Sequence, residues 1–343
     1  MSATQQPKVS IIIVNRNGRK WLPNLLDSIR NQEYKNIEIF FVDNQSTDDS
    51  YSFVRQNYHE MIVIQNGGNF GFGKSANAGA RAATGEFLIF LNEDMMLHKQ
   101  MITNLLKCYT MHENVAIVVA KEVDYDDHKI VNTRGYLFDL LGNGRPNQKK
   151  HWTYSEKFFY APGAPCFIKK TIFDILGGFE ESFFLYYEDV DLSWKARLMG
   201  YNIFFCEDAI IYHKGAGTTN RQSDFTFFIT RRNALYLLSK NYSLAILYFI
   251  IPLYFIQALL NSFFSVIFEL NSRYIYIYPK VFLNVLRRLP ELKIKRKLIQ
   301  KKRVVNDFYI IRSMSPYYLG PFPLNLINQP IRLLIKMFKY EKK

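Results

Sequence analysis

Four short apolar runs, three of them ending in Asp, Gln or Asn and all separated by helix-length segments, constrain the first 120 residues more than any other feature. Val9-Ser10-Ile11-Ile12-Ile13-Val14 is rich in β-branched residues and reads as a buried strand, with polar Asn15-Arg16-Asn17-Gly18 following as a turn. Residues 37–42 form a second run that ends in Asp43, and residues 61–65 form a third. Residues 87–91 form a fourth, closed by Asn92-Glu93-Asp94. Between the first two, Trp21, Leu22, Leu25, Leu26 and Ile29 share one helical face. Ser46-Thr47-Asp48-Asp49 can cap a helix running to about Tyr58. A Gly-rich loop and an Ala-rich helix with room for about two turns precede Gly85. This βαβαβ order predicts a largely parallel sheet with helices on its faces. Such sheets bind ligands beyond the carboxyl ends of their strands. The polar residues that end the strands are therefore the first candidates for a site.

Farther along, residues 120–185 read as irregular, with a Pro/Gly stretch at 161–165. A helix is expected from about Val190 to Met199, closed by Gly200, then strands at 201–205 and 209–212. Charge divides the chain. Residues 1–230 hold 24 Lys+Arg and 26 Asp+Glu, whereas residues 231–343 hold 20 Lys+Arg and only 4 Asp+Glu. The whole basic excess lies in the last third, which points to phosphate-bearing partners, either nucleic acid or an anionic membrane face. Residues 241–268 carry no charge at all, long enough for a span of about 20 residues. Pro252, Gln257, Asn261 and Ser262 interrupt that stretch and favour a re-entrant or in-plane helix pair over a single span. Near the end, Ile331, Leu334, Ile335 and Phe338 recur at helical spacing among lysines. Cys108, Cys166 and Cys206 show no metal-type spacing and fit a reducing compartment. The polar N-terminus runs straight into a strand and reads as lacking a secretory leader.

Four constellations can carry chemistry. Residues 68–75, Gly-Asn-Phe-Gly-Phe-Gly-Lys-Ser, match the P-loop pattern and would place Lys74 on outer phosphates. Against that nucleotide triphosphatase reading, the loop follows the third strand and its helix is short. Second, Asp43 and Asn92-Glu93-Asp94 end strands on one sheet edge. There, a nucleotide diphosphate needs an acceptor for base or ribose and a carboxylate holding Mg²⁺ or Mn²⁺. Third, Glu188, Asp189 and Asp191 open a helix behind a wall of aromatic residues. Such a carboxylate can act as a general base, or simply favour the helix N-terminus. Fourth, His213 ends an apolar strand and is a metal-ligand candidate or a structural hydrogen-bonder.

Six motifs in order make the chain resemble a family 2 glycosyltransferase of GT-A fold, of the bacterial rhamnosyltransferase-like branch. They are the first strand with Asn15, Val42-Asp43-Asn44-Gln45-Ser46-Thr47-Asp48, the 69–79 loop, residues 85–94, Gly177-Gly178-Phe179-Glu180-Glu181, and Tyr187-Glu188-Asp189-Val190-Asp191; His213 closes the set. The resemblance implies a mixed Rossmann-like sheet over residues 1–230 and a helical, membrane-associating region over 231–343. It implies that Asp43 binds the donor's base, with Asn15, Asn69, Gly71, Asn77 and Asn92 around the nucleotide sugar. Asp94 and His213 would hold Mg²⁺ or Mn²⁺, and Asp189 of the Glu188-Asp189 pair would be the base of an inverting displacement. Glu180 stands where the family usually has Asp and receives no role. No Gln-x-x-Arg-Trp motif of the processive synthases is found, so transfer of a single sugar is expected. The expected partners are a nucleotide-diphospho-sugar and a glycan acceptor, lipid-linked, in cell-surface polysaccharide synthesis. On this reading the basic tail meets an anionic membrane at its cytoplasmic face, and nucleic acid is not a partner.

Overall fold

The computed structural model describes residues 6–147, 158–215, 223–269 and 272–315. The amphipathic tail expected around residues 331–338 lies outside them. The chain divides into two compact units. The first comprises residues 1–136, 146–196 and 201–218, and the second residues 137–145, 197–200 and 219–343. The boundary expected at residue 230 falls inside a helix, α7 (Asp224–Asn241).

The first unit is built on a nine-stranded sheet. Its opening elements are β1 (Val9–Asn15), α1 (Leu22–Arg30), β2 (Ile37–Asp43), α2 (Ser50–Asn57), β3 (Ile62–Gln65), α3 (Gly71–Ala82) and β4 (Phe87–Asn92). These follow the expected alternation closely. Next come β5 (Met95–Leu97), α4 (Met101–Thr110), β6 (Val115–Asp124) and β7 (Val131–Thr133); β8 (Tyr136–Phe138) and β9 (Gly144–Pro146), next in the chain, fall mostly in the second unit. Then follow β10 (Cys166–Lys169), α5 (Lys170–Leu176), α6 (Glu188–Leu198) and β11 (Asn202–His213). The strand order is β3-β2-β1-β4-β10-β6-β11-β5, with β7 on β6; β8 and β9 pair separately. β1, β2, β3 and β4 run parallel, as do β6 and β11. β10 enters antiparallel between β4 and β6, so the sheet is mixed.

β1 is buried along its whole length, the mark of a strand covered on both faces. α3 covers one face of it. A Cβ on Gly79 would lie 2.5 Å from Ile12 Cγ2, so glycine there lets the helix settle onto the strand. That contact offsets the low helix propensity, and α3 runs 12 residues, longer than the two turns expected. The two strands expected at 201–212 are one, β11, kinked by a register shift between Cys206 and Ile210.

In the second unit, α7 is followed by α8 (Leu244–Glu269), α9 (Arg273–Arg287), α10 (Leu289–Lys301) and α11 (Asp307–Ser313). α8 continues through Pro252 without a break, so the expected helix pair is a single helix of 26 residues. α8 is long and apolar enough to cross a membrane by length and composition.

Candidate active site

The parallel half of the sheet brings three expected residues to one edge. Asn15 pairs in register with Asp43, and Val14 with Asn92. Asn15 and Asp43 are fully buried. Asp43 accepts hydrogen bonds from Asn15 Nδ2 at 3.2 Å and from the Ser46 N–H at 3.2 Å. Asn15 Nδ2 also donates to Ser46 Oγ at 2.9 Å, while Asn15 Oδ1 is buried without a hydrogen-bond partner. A buried acceptor at a strand end is costly unless a donor arrives.

The polar side chains of the 69–77 loop are tied into the fold. Asn69 Oδ1 accepts from Asn44 Nδ2 at 3.0 Å and from the Gly71 N–H at 3.2 Å. Asn77 Nδ2 donates to Phe179 O at 2.9 Å and to Glu181 Oε1 at 3.1 Å, and its Oδ1 accepts the Phe179 N–H. Gly71 has φ +77°, and a Cβ there would lie 1.8 Å from Phe184 O. These are the three residues expected near the nucleotide sugar. In this structure their polar groups also hold the chain, because the segment from Gly178 to Tyr187 lies over the start of α3 and its backbone needs partners. Asn44, which sequence reasoning passed over, ties the loop together through Asn66, Asn69, Phe70 and Gly71. The P-loop reading fails here. Lys74 sits 3.8 Å from the Phe70 ring centroid, and the fully buried Ser75 hydroxyl donates to Gly71 O. Gly71→Ala combines a left-handed φ with a backbone clash, so we expect a loss of at least about 2 kcal/mol in denaturant unfolding. An unfolding curve matching the unsubstituted protein would show that the approach of Phe184 is not needed.

Asp94 and His213, the two residues expected to hold a metal, lie side by side. β11 pairs antiparallel with β5 so that His213 faces Met95, next to Asp94. His213 Nε2 lies 3.2 Å from Asp94 Oδ1, and its Nδ1 lies 2.9 Å from Glu122 Oε1. Asp94 and Glu122 are buried. Burial works against the imidazolium, yet the hydrogen bonds to Asp94 and Glu122 outweigh it and lift the His213 pKa to about 10. Burial, with Asp94 alongside, pushes Glu93 up to about 8. Among the described residues, no three His, Cys, Asp or Glu side chains are arranged to hold a metal by themselves. A carboxylate beside an imidazole, with Glu122 fixing the ring from behind, suits a divalent cation that takes its remaining ligands from a diphosphate.

α6 sorts its three opening carboxylates. Asp191 is fully buried and paired with Lys195 at 3.2 Å; Lys195 also donates to Gly178 O at 2.8 Å. Asp191 is thus a structural charge. Glu188 is buried, and burial with its neighbour's charge pushes it up to about 8. Asp189 is half-buried, and burial raises it to about 6 against the N–H groups of Val190 and Gly163. The approach is strained: Phe184, Tyr186 and Tyr187 have φ of 68°, 66° and 74°. Non-glycine residues hold such values only where their surroundings enforce them. Glu180, given no role, accepts from the Ser182 N–H and caps this turn. Asp189 lies close enough to Cys166 to add to the burial that raises its thiol pKa. Cys166 pairs with Phe90, two residues before Asn92. The base candidate and the metal pair therefore flank the carboxyl end of β4.

The model for Glycosyl transferase family 2 matches residues 10–174. The low-salt glycan biosynthesis hexosyltransferase Agl10 of Haloferax volcanii is 27% identical over 245 residues, 67% of this chain and 75% of that protein. The O-antigen chain rhamnosyltransferase RfbN of Salmonella typhimurium is 22% identical over 208 residues, 60% of this chain and 66% of that protein. Among solved structures, S. aureus TarS 1-349 in complex with UDP-GlcNAc aligns with TM-score 0.54 at 19% identity, over 86% of this chain and 89% of that one. The mannosyltransferase PcManGT of Pyrobaculum calidifontis, in complex with GDP-Man and Mn²⁺, aligns with TM-score 0.51 at 17% identity, over 98% and 85%. These likenesses place the fold among GT-A glycosyltransferases.

Proposed function

The chain is a family 2 glycosyltransferase, and from that premise we propose that it moves one sugar from a nucleotide-diphospho-sugar to a hydroxyl of a glycan acceptor, with inversion. The observation that carries this reading is the sorting of carboxylates on α6. Asp191 is locked in an ion pair, while Asp189 is half-exposed with a proton affinity suited to a base near neutral pH. Asp189 takes the proton of the acceptor hydroxyl, whose oxygen attacks the anomeric carbon from the side opposite the departing nucleoside diphosphate. Glu188, buried and protonated at neutral pH, keeps a second negative charge away from Asp189. Asp43, hydrogen-bonded to Asn15, would serve the donor's base, and Asn92 the sugar-diphosphate. Asp94 and His213 would hold Mg²⁺ or Mn²⁺. The bound cation supplies charge neutralisation for the leaving diphosphate.

Relatives named for O-antigen and glycan biosynthesis support a role in polysaccharide synthesis. The lipid-linked acceptor and the cytoplasmic face of the membrane are part of the same proposal and rest on the basic, apolar composition of residues 231–343. Full activity on a soluble acceptor after truncation of the second unit would count against the lipid-linked part. The reaction itself is tested by a donor-hydrolysis panel of UDP-, GDP- and dTDP-sugars with Mn²⁺ or Mg²⁺. We expect slow release of the nucleoside diphosphate from one donor class only. No release from any donor, with ATP cleaved instead, would overturn the reading.

A further inference from the structure

α8 turns apolar side chains outward as well as inward. Its buried positions are Ile246, Ile250, Tyr254 and Ala258, with Gln257, Asn261 and Ser265 forming a polar stripe at successive turns of its second half. Its outward positions are apolar from end to end: Leu244, Tyr248, Ile256, Leu259, Phe263 and Ile267. Leu244, Tyr248 and Leu259 are 74%, 78% and 71% exposed. Water disfavours such exposure, and an exposed apolar stripe about 35 Å long marks a surface that meets something apolar. Charge identifies what it meets. Residues 273–303 hold eleven Lys+Arg and one acidic residue, Glu291. On α10 the exposed Ile294 and Leu298 alternate with the exposed Lys293, Lys297 and Lys301. Apolar side chains flanked by lysines on flexible stems are the pattern of a helix at an anionic headgroup layer.

Packing decides the orientation. α9 runs antiparallel to the second half of α8: Phe282 stacks on Phe255 with ring centroids 4.1 Å apart, and Asn261 donates to the Tyr278 hydroxyl at 3.2 Å. Lys280, between those contacts, is exposed and level with the middle of α8. The Tyr254 hydroxyl, also near the middle of α8, donates to Arg231 O of α7. A perpendicular span would carry the exposed Lys280 and the half-buried Arg231 into hydrocarbon, which is strongly unfavourable. We infer that α8 lies in the plane of an anionic bilayer with its Tyr248–Leu259–Phe263 stripe in the acyl boundary, so that the chain is held on one leaflet without crossing it.

This inference deepens the membrane placement proposed above and is independent of the chemistry. The full chain is mixed with vesicles of phosphatidylcholine alone or with 30% phosphatidylglycerol, and donor hydrolysis is measured in the same samples. We expect binding that strengthens with phosphatidylglycerol. The double variant Leu259→Glu/Phe263→Glu should partition at least about tenfold more weakly while hydrolysing donor normally. For depth, Tyr248→Trp and Leu259→Trp are each read against the unsubstituted chain with brominated lipids. Equal, shallow quenching at both positions is the in-plane result. Deep quenching at 259 with shallow quenching at 248 describes a span and overturns the inference. So does an unsubstituted chain that ignores vesicles, whether a second copy or its own tail covers the stripe, or a double variant that binds as well as the unsubstituted chain.

Discussion

Asp189→Asn should lower transfer by about 10³-fold, within the 10²–10⁴ range of a lost general base, while donor binding stays within about twofold. Asparagine keeps the shape and the acceptor oxygen for the Val190 N–H, but it cannot take a proton from the acceptor hydroxyl. The stability response separates this from a folding defect. Burial raises the folded pKa of Asp189 from 3.8 to about 6, so the folded state disfavours its ionised form. That penalty is absent below about pH 4, grows between pH 4 and 6, and is complete above 6. The variant lacks it, so its melting temperature at pH 7 should equal or exceed that of the unsubstituted enzyme. The pH profile adds a third reading. Transfer by the unsubstituted enzyme should rise through pH 6 as Asp189 ionises, and the residual rate of the variant should be flat there. A variant that retains turnover, or one that loses donor affinity and melts early, would remove Asp189 from the role of base. The neighbouring Asp191→Asn should behave in the opposite way. It breaks a fully buried pair with Lys195, and its loss should appear mainly as instability.

The contrast between these two carboxylates shows what sequence can and cannot convey. Strand ends were readable because alternation and β-branched runs set the sheet, and parallel strands put Asn15, Asp43 and Asn92 on one edge by necessity. The first-turn acids of α6 were readable as a group. Which of them is free depends on Lys195, one turn later, and on Gly178 O above it. The direction of an amide is harder still. Asn77 stands in a motif shared with nucleotide-sugar enzymes, yet its amide turns to Phe179 and Glu181, about a hundred residues away in the chain. Glu122 carries no local sign of importance, since its partner His213 lies 91 residues off on a strand that joins β6 only in the folded sheet. The 115–120 run is apolar throughout, but nothing adjacent to it announces that β10 will insert antiparallel beside it. In α8, composition announced a lipid-length apolar stretch. Only the packing on α7 and α9 shows that its polar residues point inward and that its middle is flanked by cations.

Asp94→Asn should abolish cation-dependent catalysis, with a fall of about 10²–10³-fold in transfer at any Mn²⁺ concentration. His213 loses one of the two carboxylates between which it sits, and the cation loses its only acidic protein ligand of the pair. Glu122→Gln should act differently. The amide oxygen still accepts from His213 Nδ1, so the ring keeps its orientation, but the charge that makes it a strong donor ligand is gone. Mn²⁺ affinity, read by electron paramagnetic resonance without any substrate, should weaken by about 10–100-fold, while kcat at saturating Mn²⁺ changes little. Proton linkage gives an independent handle. The free His213 is protonated up to about pH 10 because both carboxylates hold its proton, and a cation must displace that proton to bind. Mn²⁺ affinity should therefore climb by up to about tenfold per pH unit between pH 6 and 8 and flatten as pH nears 10. In Asp94→Asn the climb should end at a lower pH, since one of the groups holding the proton is neutral. Mn²⁺ binding that ignores pH, or that survives in Asp94→Asn/His213→Ala, would place the cation elsewhere and leave this pair as a structural ion pair between β5 and β11.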